Sequence, residues 1–457
     1  MAELEQLRAA HMARAQELAP EFCGRLQWTP DQLAVHQRRA LRAVLSTAVD
    51  RSPWHRKRLK GIDLDALDPA DLTALPVMTK AELMADWDDI VTDDRLRLAD
   101  VNEHLADAGD RGYLFDEYTA MATGGSTGHR GVTVMDREGL AVFWLSMVRR
   151  FFIDRQTDPA LREGPVTFGW VGAAHPSHAS ALLSRIFQNP AIVTLQCPVT
   201  WPVERMVATL NEAQPTILAG YPSAIGLLAG EATAGRLRID PVQVWCGGEP
   251  LTPEVRAAVV AVWDRPIVNG WGATEIGFTG FSCRSARMHL AEDIGIIEVV
   301  DPEGRPVPVG QAGSKIFVTN LINHTLPMIR YEVSDELTLL PDPCPCGAMT
   351  RTISDVQGRL DDLFHYGGRP VHPHVFRTAF TRRGAIPEYQ VRQTARGADV
   401  DVCVSGELDT GALAAELAES LRQLGLPDPQ VTIRRVERVG RVGESGKLKR
   451  FVPLAAS

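Results

Sequence analysis

The chain has 457 residues, with 48 basic and 57 acidic side chains, so its formal charge at neutral pH is −9. Hydrophobic residues make up 45% of the sequence and charged residues 23%, which suits a folded globular protein and excludes wholesale disorder. The acidic balance offers no general positive field, so we expect neither nucleic acid nor an anionic membrane as a partner.

The N-terminal segment and the cysteine content indicate the compartment. Residues 1–16 mix charged side chains with Ala and Leu, which is typical of an amphipathic helix and unlike a signal peptide. The longest apolar runs, such as residues 257–263, are far shorter than the about 18 residues that a bilayer requires. Seven cysteines, an odd number, argue against a disulfide framework and leave free thiols or a metal site. We therefore expect a soluble, cytoplasmic protein.

The middle of the chain alternates short apolar, β-branched runs with segments of helical spacing. The runs cover residues 165–171, 191–196, 215–218, 242–246 and 266–269. The helical segments cover residues 177–186, 203–212, 223–229 and 253–263. Such alternation predicts crossover units in a mostly parallel sheet, with ligands bound beyond the carboxyl ends of the strands.

The sequence pattern changes twice after this region. Residues 294–340 carry Val, Ile and Thr runs with turn signals, which predicts a small antiparallel β subdomain. The polar residues near 358 then precede a last portion of strand and helix patterns. The predicted fold class is α/β. A large N-terminal domain, residues 1–358, would hold mostly parallel sheets flanked by helices plus the β subdomain, and residues 359–457 would form a small mobile α+β C-terminal domain.

A cluster of glycine and hydroxyl residues is a candidate phosphate loop. Glycines let the backbone approach a ligand closely, and hydroxyls can donate to phosphate oxygens. The cluster lacks the Gly-Lys-Ser/Thr ending of a Walker A loop, and such a cluster is often an ordinary flexible loop. Its members are Thr123, Gly124, Gly125, Ser126, Thr127 and Gly128.

Two further Gly-rich segments follow predicted strands, Gly247-Gly248-Glu249-Pro250-Leu251 and residues 269–277. In this order with the phosphate loop, the sequence resembles the adenylate-forming superfamily of acyl-CoA synthetases and adenylation domains, most closely its phenylacetate–CoA ligase branch. Further matches to this pattern lie at residues 52–56, 326–335, 358–362 and 443–450, so the likeness covers nearly the whole chain.

The resemblance implies an ATP site that also holds Mg²⁺. Glu275 would bind Mg²⁺ through a hard oxygen, with Thr274 near the α-phosphate. Asp335 would accept from the ribose hydroxyls, and Arg359 would reach ribose or phosphate. Trp271, which stands where the family usually has Tyr, would stack on the adenine. The remaining cofactor-binding positions are Gly247, Gly248, Glu249, Pro250 and Gly272.

The resemblance also assigns a catalytic lysine and a hinge to the C-terminal domain. Lys447 would bridge the α-phosphate and the carboxylate and neutralise the charge that develops as the two anions approach. Asp361 would be the hinge about which the domain turns after adenylation. The alternatives are a solvated lysine in a basic tail and a charged linker.

Four residues form a candidate zinc site. Cys283, His289, Cys344 and Cys346 offer thiolates and an imidazole, which are suitable ligands for a closed structural Zn²⁺ site. The single residue between Cys344 and Cys346 is a tighter spacing than is common. Unpaired thiols with a surface histidine are the alternative.

The sequence gives little information on which acid is the substrate. Trp170, His175, His178 and Tyr221 lie where the superfamily builds its acyl pocket. Either His175 or His178 would meet the carboxylate, with a purely structural histidine as the alternative. Aromatic residues with few charges favour an aryl or arylacetic acid over a long or polar one.

These observations favour an ATP-dependent, AMP-forming acid–CoA ligase that forms an acyl-adenylate and transfers the acyl group to CoA. One alternative is an adenylating enzyme of the same fold that passes the activated group to an amine or another non-CoA acceptor. A second is a non-catalytic nucleotide-binding protein. The partners are then the small-molecule acid, ATP and CoA. The sequence leaves the oligomeric state open, with a homodimer as one possible assembly.

Overall fold

The computed structural model describes residues 2–106, 112–123, 130–162, 164–189, 191–354, 356, 364–383, 385–386, 388–437, 439 and 450–454. The helices in these ranges are α1 (Ala2–Gly24), α2 (Pro30–Arg51), α3 (Pro53–Arg58), α4 (Lys80–Ala85), α5 (Trp87–Ile90), α6 (Leu98–Ala106), α7 (Arg137–Thr157), α8 (Pro159–Arg162), α9 (Ala179–Ile186), α10 (Val203–Ala213), α11 (Pro222–Thr233), α12 (Pro253–Trp263), α13 (His374–Thr381) and α14 (Thr410–Gln423). The strands are β1 (Tyr118–Thr123), β2 (Gly131–Asp136), β3 (Val166–Gly172), β4 (Ile192–Pro198), β5 (Ile217–Gly220), β6 (Gln243–Gly247), β7 (Ile267–Ala273), β8 (Gly277–Ser282), β9 (Met288–Leu290), β10 (Gly295–Val300), β11 (Lys315–Asn320), β12 (Tyr331–Val333), β13 (Thr352–Ile353), β14 (Phe364–Tyr366), β15 (Arg369–Val371), β16 (Glu388–Thr394), β17 (Gly397–Cys403), β18 (Gln430–Arg435) and β19 (Phe451–Val452).

The main sheet has eight strands in the order β13-β9-β8-β7-β6-β5-β3-β4. The five strands from β7 to β4 run parallel, whereas β8, β9 and β13 are antiparallel. Helices α9 to α12 connect the parallel strands in turn, as crossover connections must. The predicted parallel sheet flanked by helices is therefore confirmed, with strand ends shifted by a few residues.

Both faces of this sheet are covered. Because side chains alternate along a strand, Val171 of β3 points to one face and Phe168 to the other. Val171 belongs to an apolar cluster with residues of α10, α11 and α12. Phe168 packs against Phe151 of α7, with ring centroids 5.4 Å apart. The sheet is thus buried on both sides, as parallel sheets are.

The smaller sheets follow the predicted change of pattern. Strands β10, β11 and β12 form a three-stranded antiparallel sheet, which confirms the predicted β subdomain. A second, four-stranded sheet has the strand order β18-β17-β16-β19. It packs with α13 and α14 around an apolar core of its own. The predicted boundary between residues 358 and 359 lies outside the described residues, so the domain division and the mobility of the C-terminal lobe stay predictions.

Long helices in this fold carry charge. Helices α1 and α7 have 23 and 21 residues. In α7, the buried guanidinium of Arg149 donates to Asp293 at 2.9 Å. Throughout the ranges that the structure describes, no helix combines the length and the apolar character that crossing a bilayer requires.

A close approach between strands generates a test of this packing. A Cβ atom added at Gly220 in β5 would lie 2.3 Å from the carbonyl oxygen of Val171 in β3. Since backbone must then move, we expect Gly220→Ala to lower the free energy of unfolding by about 1–3 kcal/mol. Thermal or urea unfolding measures the effect. The matched control is Gly230→Ala in α11, where an added Cβ meets nothing within 4 Å. The control should leave stability unchanged or raise it, and equal effects of the two substitutions would contradict this strand spacing.

Candidate active site

The carboxyl ends of β5, β6 and β7 bring three short segments to one edge of the sheet. Tyr221 follows β5, Gly248 and Glu249 follow β6, and Thr274 and Glu275 follow β7. All five residues line one cavity of about 440 Å³. The site therefore forms where open parallel sheets generally bind ligands.

A buried ion pair stands at the charged end of this cavity. The Nζ of Lys80 lies 2.8 Å from Oε1 of Glu275, and the two side chains are 10% and 5% exposed. Lys80 also donates to the hydroxyl of Thr123 at 2.9 Å, and that hydroxyl donates to Glu275 at 3.3 Å. Burial alone would raise the pKa of Glu275, but Lys80, together with hydrogen bonds from the Glu275 backbone and Thr123, outweighs this effect and holds that pKa below its usual value. Glu275 is thus an ionised carboxylate, a hard oxygen ligand of the kind Mg²⁺ prefers.

Lys80 was not predicted from the sequence. It is the first residue of α4, whose start is fixed by a capping box between Thr79 and Glu82. The Thr-x-x-Glu pattern could have predicted this helix start. It carries no information that the lysine meets Glu275, because that contact joins distant parts of the chain.

The backbone at Gly131 leaves space for the pair. A Cβ atom at this position would lie 2.5 Å from Oε1 of Glu275 and 2.9 Å from Cε of Lys80. The Gly131 N–H also donates to the hydroxyl of Thr123 at 3.1 Å. Gly131 therefore permits the close approach that this cluster needs.

Trp271 and Asp335, the predicted adenine and ribose contacts, meet each other. The indole N–H of Trp271 donates to Oδ2 of Asp335 at 2.7 Å. Burial raises the pKa of Asp335, and the indole partly offsets this effect. Trp271 is 8% exposed and packs in an apolar cluster rather than along the cavity. Its stacking on adenine stays a prediction, and this arrangement gives it a different task, that of holding Asp335.

Glu249 of the Gly-Gly-Glu segment contacts the C-terminal lobe. Its carboxylate accepts from the N–H and hydroxyl of Ser223, at 3.2 and 2.6 Å. The Nε2 of His372, just after β15, lies 3.2 Å from its other oxygen. Burial alone would raise the pKa of Glu249, but His372 and Ser223 outweigh it and lower that pKa. The adjacent Gly248, with φ of +78°, leaves room for the Tyr221 ring.

The other end of the cavity is aromatic. Trp170 and Tyr221, both predicted acid-pocket residues, line it. His175 is not among the residues that line it, and its Nδ1 is bonded to the hydroxyl of Ser177 at 2.9 Å. His178, the other histidine expected near the acid, does line the cavity, and a contact of either histidine with the acid stays a prediction. The remaining aromatic wall consists of Phe143, Trp144, Phe168, Phe187, Trp245 and Phe278.

The four candidate zinc ligands converge. The Sγ atoms of Cys283 and Cys344 are 3.4 Å apart, and Sγ of Cys346 lies 3.3 Å from Nε2 of His289. All four ligand atoms lie within 4.8 Å of one another. The other ring nitrogen of His289 is bonded to the hydroxyl of Thr350 at 3.0 Å, which fixes the ring.

The structure leaves some predicted residues outside its described ranges. Gly247 and Gly272 line the cavity beside the residues above, and Pro250 follows Glu249 at the same edge. The predicted residues outside the described ranges are Gly124, Gly125, Ser126, Thr127, Gly128, Arg359, Asp361 and Lys447.

The buried pair predicts a strong effect of removing one partner. Lys80→Met leaves an ionised carboxylate without its cation, so the free energy of unfolding should fall by about 3–5 kcal/mol. The double variant Lys80→Met/Glu275→Gln should recover part of this loss, with a coupling energy of about 0.5–3 kcal/mol. Urea unfolding of the four proteins measures the cycle. Additive losses would contradict a direct pair.

The pH dependence of stability provides a second test of the ion pair between Lys80 and Glu275. Because the folded pKa of Glu275 is lowered, its ionised form adds stability above the unfolded pKa of about 4.3, and this is lost as the pH falls through the folded value. The stability difference between wild type and Glu275→Gln should therefore shrink below about pH 4. A control is Glu303→Gln, whose exposed pair with Arg305 should contribute little at any pH. A difference that grows on acidification would contradict the lowered pKa.

Comparisons with known proteins agree with this geometry. The family described as AMP-binding enzyme matches residues 67–319. Phenylacetate-coenzyme A ligase of Thermus thermophilus is 29% identical over 232 residues, which is 49% of this chain and 50% of that protein. A synthase of Amycolatopsis lactamdurans, N-(5-amino-5-carboxypentanoyl)-L-cysteinyl-D-valine synthase, is 23% identical over 212 residues, 42% of this chain and 5% of that protein. The chain thus matches half or less of the length of these relatives.

The fold has close structural counterparts. The structure of 2-hydroxyisobutyryl-CoA ligase with 2-HIB-AMP and CoA in its thioesterification state aligns with a TM-score of 0.57 at 18% identity, covering 94% of this chain and 91% of that one. At this identity the likeness concerns the fold. Because the family match spans more than half of the chain and includes Lys80, Thr123, Glu249 and Glu275, this chain belongs to the AMP-binding enzyme family.

Proposed function

We propose that this protein is an ATP-dependent, AMP-forming ligase that activates an aryl or arylacetic acid as its acyl-adenylate and then transfers the acyl group to CoA. The observation that carries the proposal is a single cavity with two unlike ends. Lys80, Thr123 and Glu275 line its charged end, and aromatic side chains line the other. Such a cavity suits a reaction that joins a phosphate to an apolar acid.

The charged end suits the chemistry of adenylation. A carboxylate oxygen must attack the α-phosphate of ATP while pyrophosphate leaves, so two anions have to approach each other. Mg²⁺, when bound, neutralises phosphate charge, and the ionised Glu275 would hold it with Thr274 beside the α-phosphate. Lys80 keeps Glu275 ionised and adds a buried cation to the same end of the cavity. Lys447 would supply the cation that bridges carboxylate and phosphate.

The aromatic end favours an aromatic acid. Flat rings pack well against Phe and Trp side chains, and an apolar wall penalises a charged or strongly hydrated chain. The match to a phenylacetate-coenzyme A ligase over half its length supports an arylacetic acid.

A second candidate keeps adenylation but changes the acceptor. The activated group would pass to an amine or another non-CoA nucleophile. The 23% identity to a synthase that is named for a peptide product favours this candidate. The two candidates share the first half-reaction and differ only in the second.

Pyrophosphate exchange tests the first half-reaction. Wild-type protein with ATP, Mg²⁺ and a panel of aryl and arylacetic acids should exchange labelled pyrophosphate into ATP. Lys447→Ala should reduce this rate by at least about 100-fold, because the developing charge loses its cation. Lys449→Ala, two residues further along the same tail, is the matched control and should exchange at the wild-type rate. An unchanged rate in Lys447→Ala would remove this lysine from the mechanism.

Product mass separates the two acceptors. Turnover with CoA should yield an acyl-CoA, and omission of CoA should leave the adenylate or free acid. If CoA neither accelerates turnover nor appears in a product, the ligase proposal is wrong and the amine acceptor is favoured.

We also propose a structural Zn²⁺ in the Cys283, His289, Cys344 and Cys346 cluster. Two thiolates that bind the same tetrahedral zinc, each at about 2.3 Å, must lie close to each other. The Sγ atoms of Cys283 and Cys344 meet this requirement, since they are 3.4 Å apart. Four protein ligands leave no open position, so the metal would join the turn after β8 to the loop before β13 rather than react.

Elemental analysis tests the zinc proposal. Purified protein should contain about one Zn²⁺ per chain. Cys346→Ser should lower the zinc content and the melting temperature, because a ligand is lost. Cys403→Ser, in β17 and outside the cluster, is the matched control and should keep the metal. A zinc-free protein that is stable and active would contradict the proposal.

A further inference from the structure

Two buried imidazole nitrogens in the cavity wall have no hydrogen-bond partner among the described residues. They are Nε2 of His178 and Nδ1 of His374. Both residues line the cavity, and they are 9% and 2% exposed. Buried polar atoms in folded proteins are nearly always paired, so an unpaired one in a cavity wall indicates where a ligand supplies the partner.

The two imidazoles come from different parts of the chain and meet at one place. His178 precedes α9 of the main domain, whereas His374 begins α13 of the C-terminal lobe. Their rings meet edge to face, with centroids 5.1 Å apart. The ring of Tyr221 stacks on His374 at 4.7 Å and nearly parallel, at 6°. This stack holds His374 in a fixed orientation.

Two neighbouring polar side chains, those of His372 and Tyr221, already have hydrogen-bond partners. The Nε2 of His372 contacts Glu249 and Ser223, and its Nδ1 accepts from the backbone N–H of His374. The hydroxyl of Tyr221 accepts from the N–H of Ala173 at 3.3 Å. The indole N–H of Trp170, whose ring meets that of Tyr221 edge to face at 6.3 Å, is likewise buried and unpaired among the described residues. An indole N–H can only donate, whereas the imidazoles of His178 and His374 can also accept, so these two rings are the groups of this wall that can bind a substituent in both ways.

Both imidazoles are neutral at neutral pH. Burial lowers the pKa of His178 to about 3 and that of His374 well below its usual value. The nearby positive charge of Arg377 lowers the pKa of His178 further. A neutral imidazole has one N–H donor and one acceptor nitrogen, so the two rings together can both donate and accept.

We infer that the acid substrate carries a neutral hydrogen-bonding substituent, a hydroxyl or an amino group, which binds the unpaired nitrogens of His178 and His374. This inference rests on the proposed function and names its substrate class more narrowly. A hydroxyl or amino group can both donate and accept, so it can pair with either tautomer of each ring. An unsubstituted ring would leave both nitrogens unpaired.

Matched acids test this inference without any variant. Pyrophosphate exchange is measured without CoA or amine, so that no acceptor can occupy the two nitrogens. The panel compares phenylacetate and benzoate with each of their hydroxy and amino ring isomers. At least one substituted acid should exceed its parent in kcat/KM by about 10-fold or more, since a site built for a hydrogen bond rejects the analogue that lacks it.

Two variants assign the preference to the two rings. His178→Phe and His374→Phe keep an aromatic ring and remove the nitrogens, so the ratio between substituted and parent acid should fall toward one in each. His365→Phe, which replaces an exposed imidazole of β14, is the matched control and should keep the wild-type ratio. A ratio that survives both cavity variants would overturn the assignment.

The outcomes distinguish this inference from the proposed function. If wild-type protein exchanges pyrophosphate with the parent acids as well as with every hydroxy and amino isomer, the inference is wrong and the proposed function stands. If no acid supports exchange, the proposed function fails and the inference fails with it.

Discussion

An ionised carboxylate buried behind the end of β7 sets the chemistry of this site. Removing such a charge from water raises the free energy of the folded state. The ammonium of Lys80 and the hydroxyl of Thr123 offset this effect. The three groups come from α4, β1 and the turn after β7, so their contact fixes how these elements meet. Gly131 completes the arrangement by leaving the space that a side chain would fill. The charged end of the cavity depends on this one cluster.

The C-terminal lobe contributes to the other half of the site. His372 contacts Glu249 beside the Gly-Gly-Glu turn, and His374 covers Tyr221 at the rim of the aromatic cavity. Arg377 and Arg450 of the same lobe also line the cavity. The cavity is therefore assembled from two parts of the chain, and neither part encloses it alone.

The sequence predicts the scaffold well and the contacts between its parts poorly. Alternating apolar runs and helical segments lead to the parallel sheet, because their periodicity depends on neighbours in the chain. The convergence of Cys283 and His289 with Cys344 and Cys346 could be anticipated because few other roles suit that set. Which of His175 and His178 lines the cavity could not, since it depends on how the segment before α9 folds against the sheet. Lys80 and His374 were missed for the same physical reason: each acts through a partner that the chain brings near only after folding.

The division of the histidine pair between two parts of the chain has an energetic consequence. His178 precedes α9 beside the main sheet, whereas His374 begins α13 of the C-terminal lobe, for which mobility is predicted. A ligand that bound both rings would stabilise the lobe position in which the two rings meet, and no other position. By thermodynamic linkage, displacing the lobe would lower the affinity for that ligand by the same factor by which the ligand favours the position in which the rings meet. Binding of the acid and the position of the lobe would then be thermodynamically coupled.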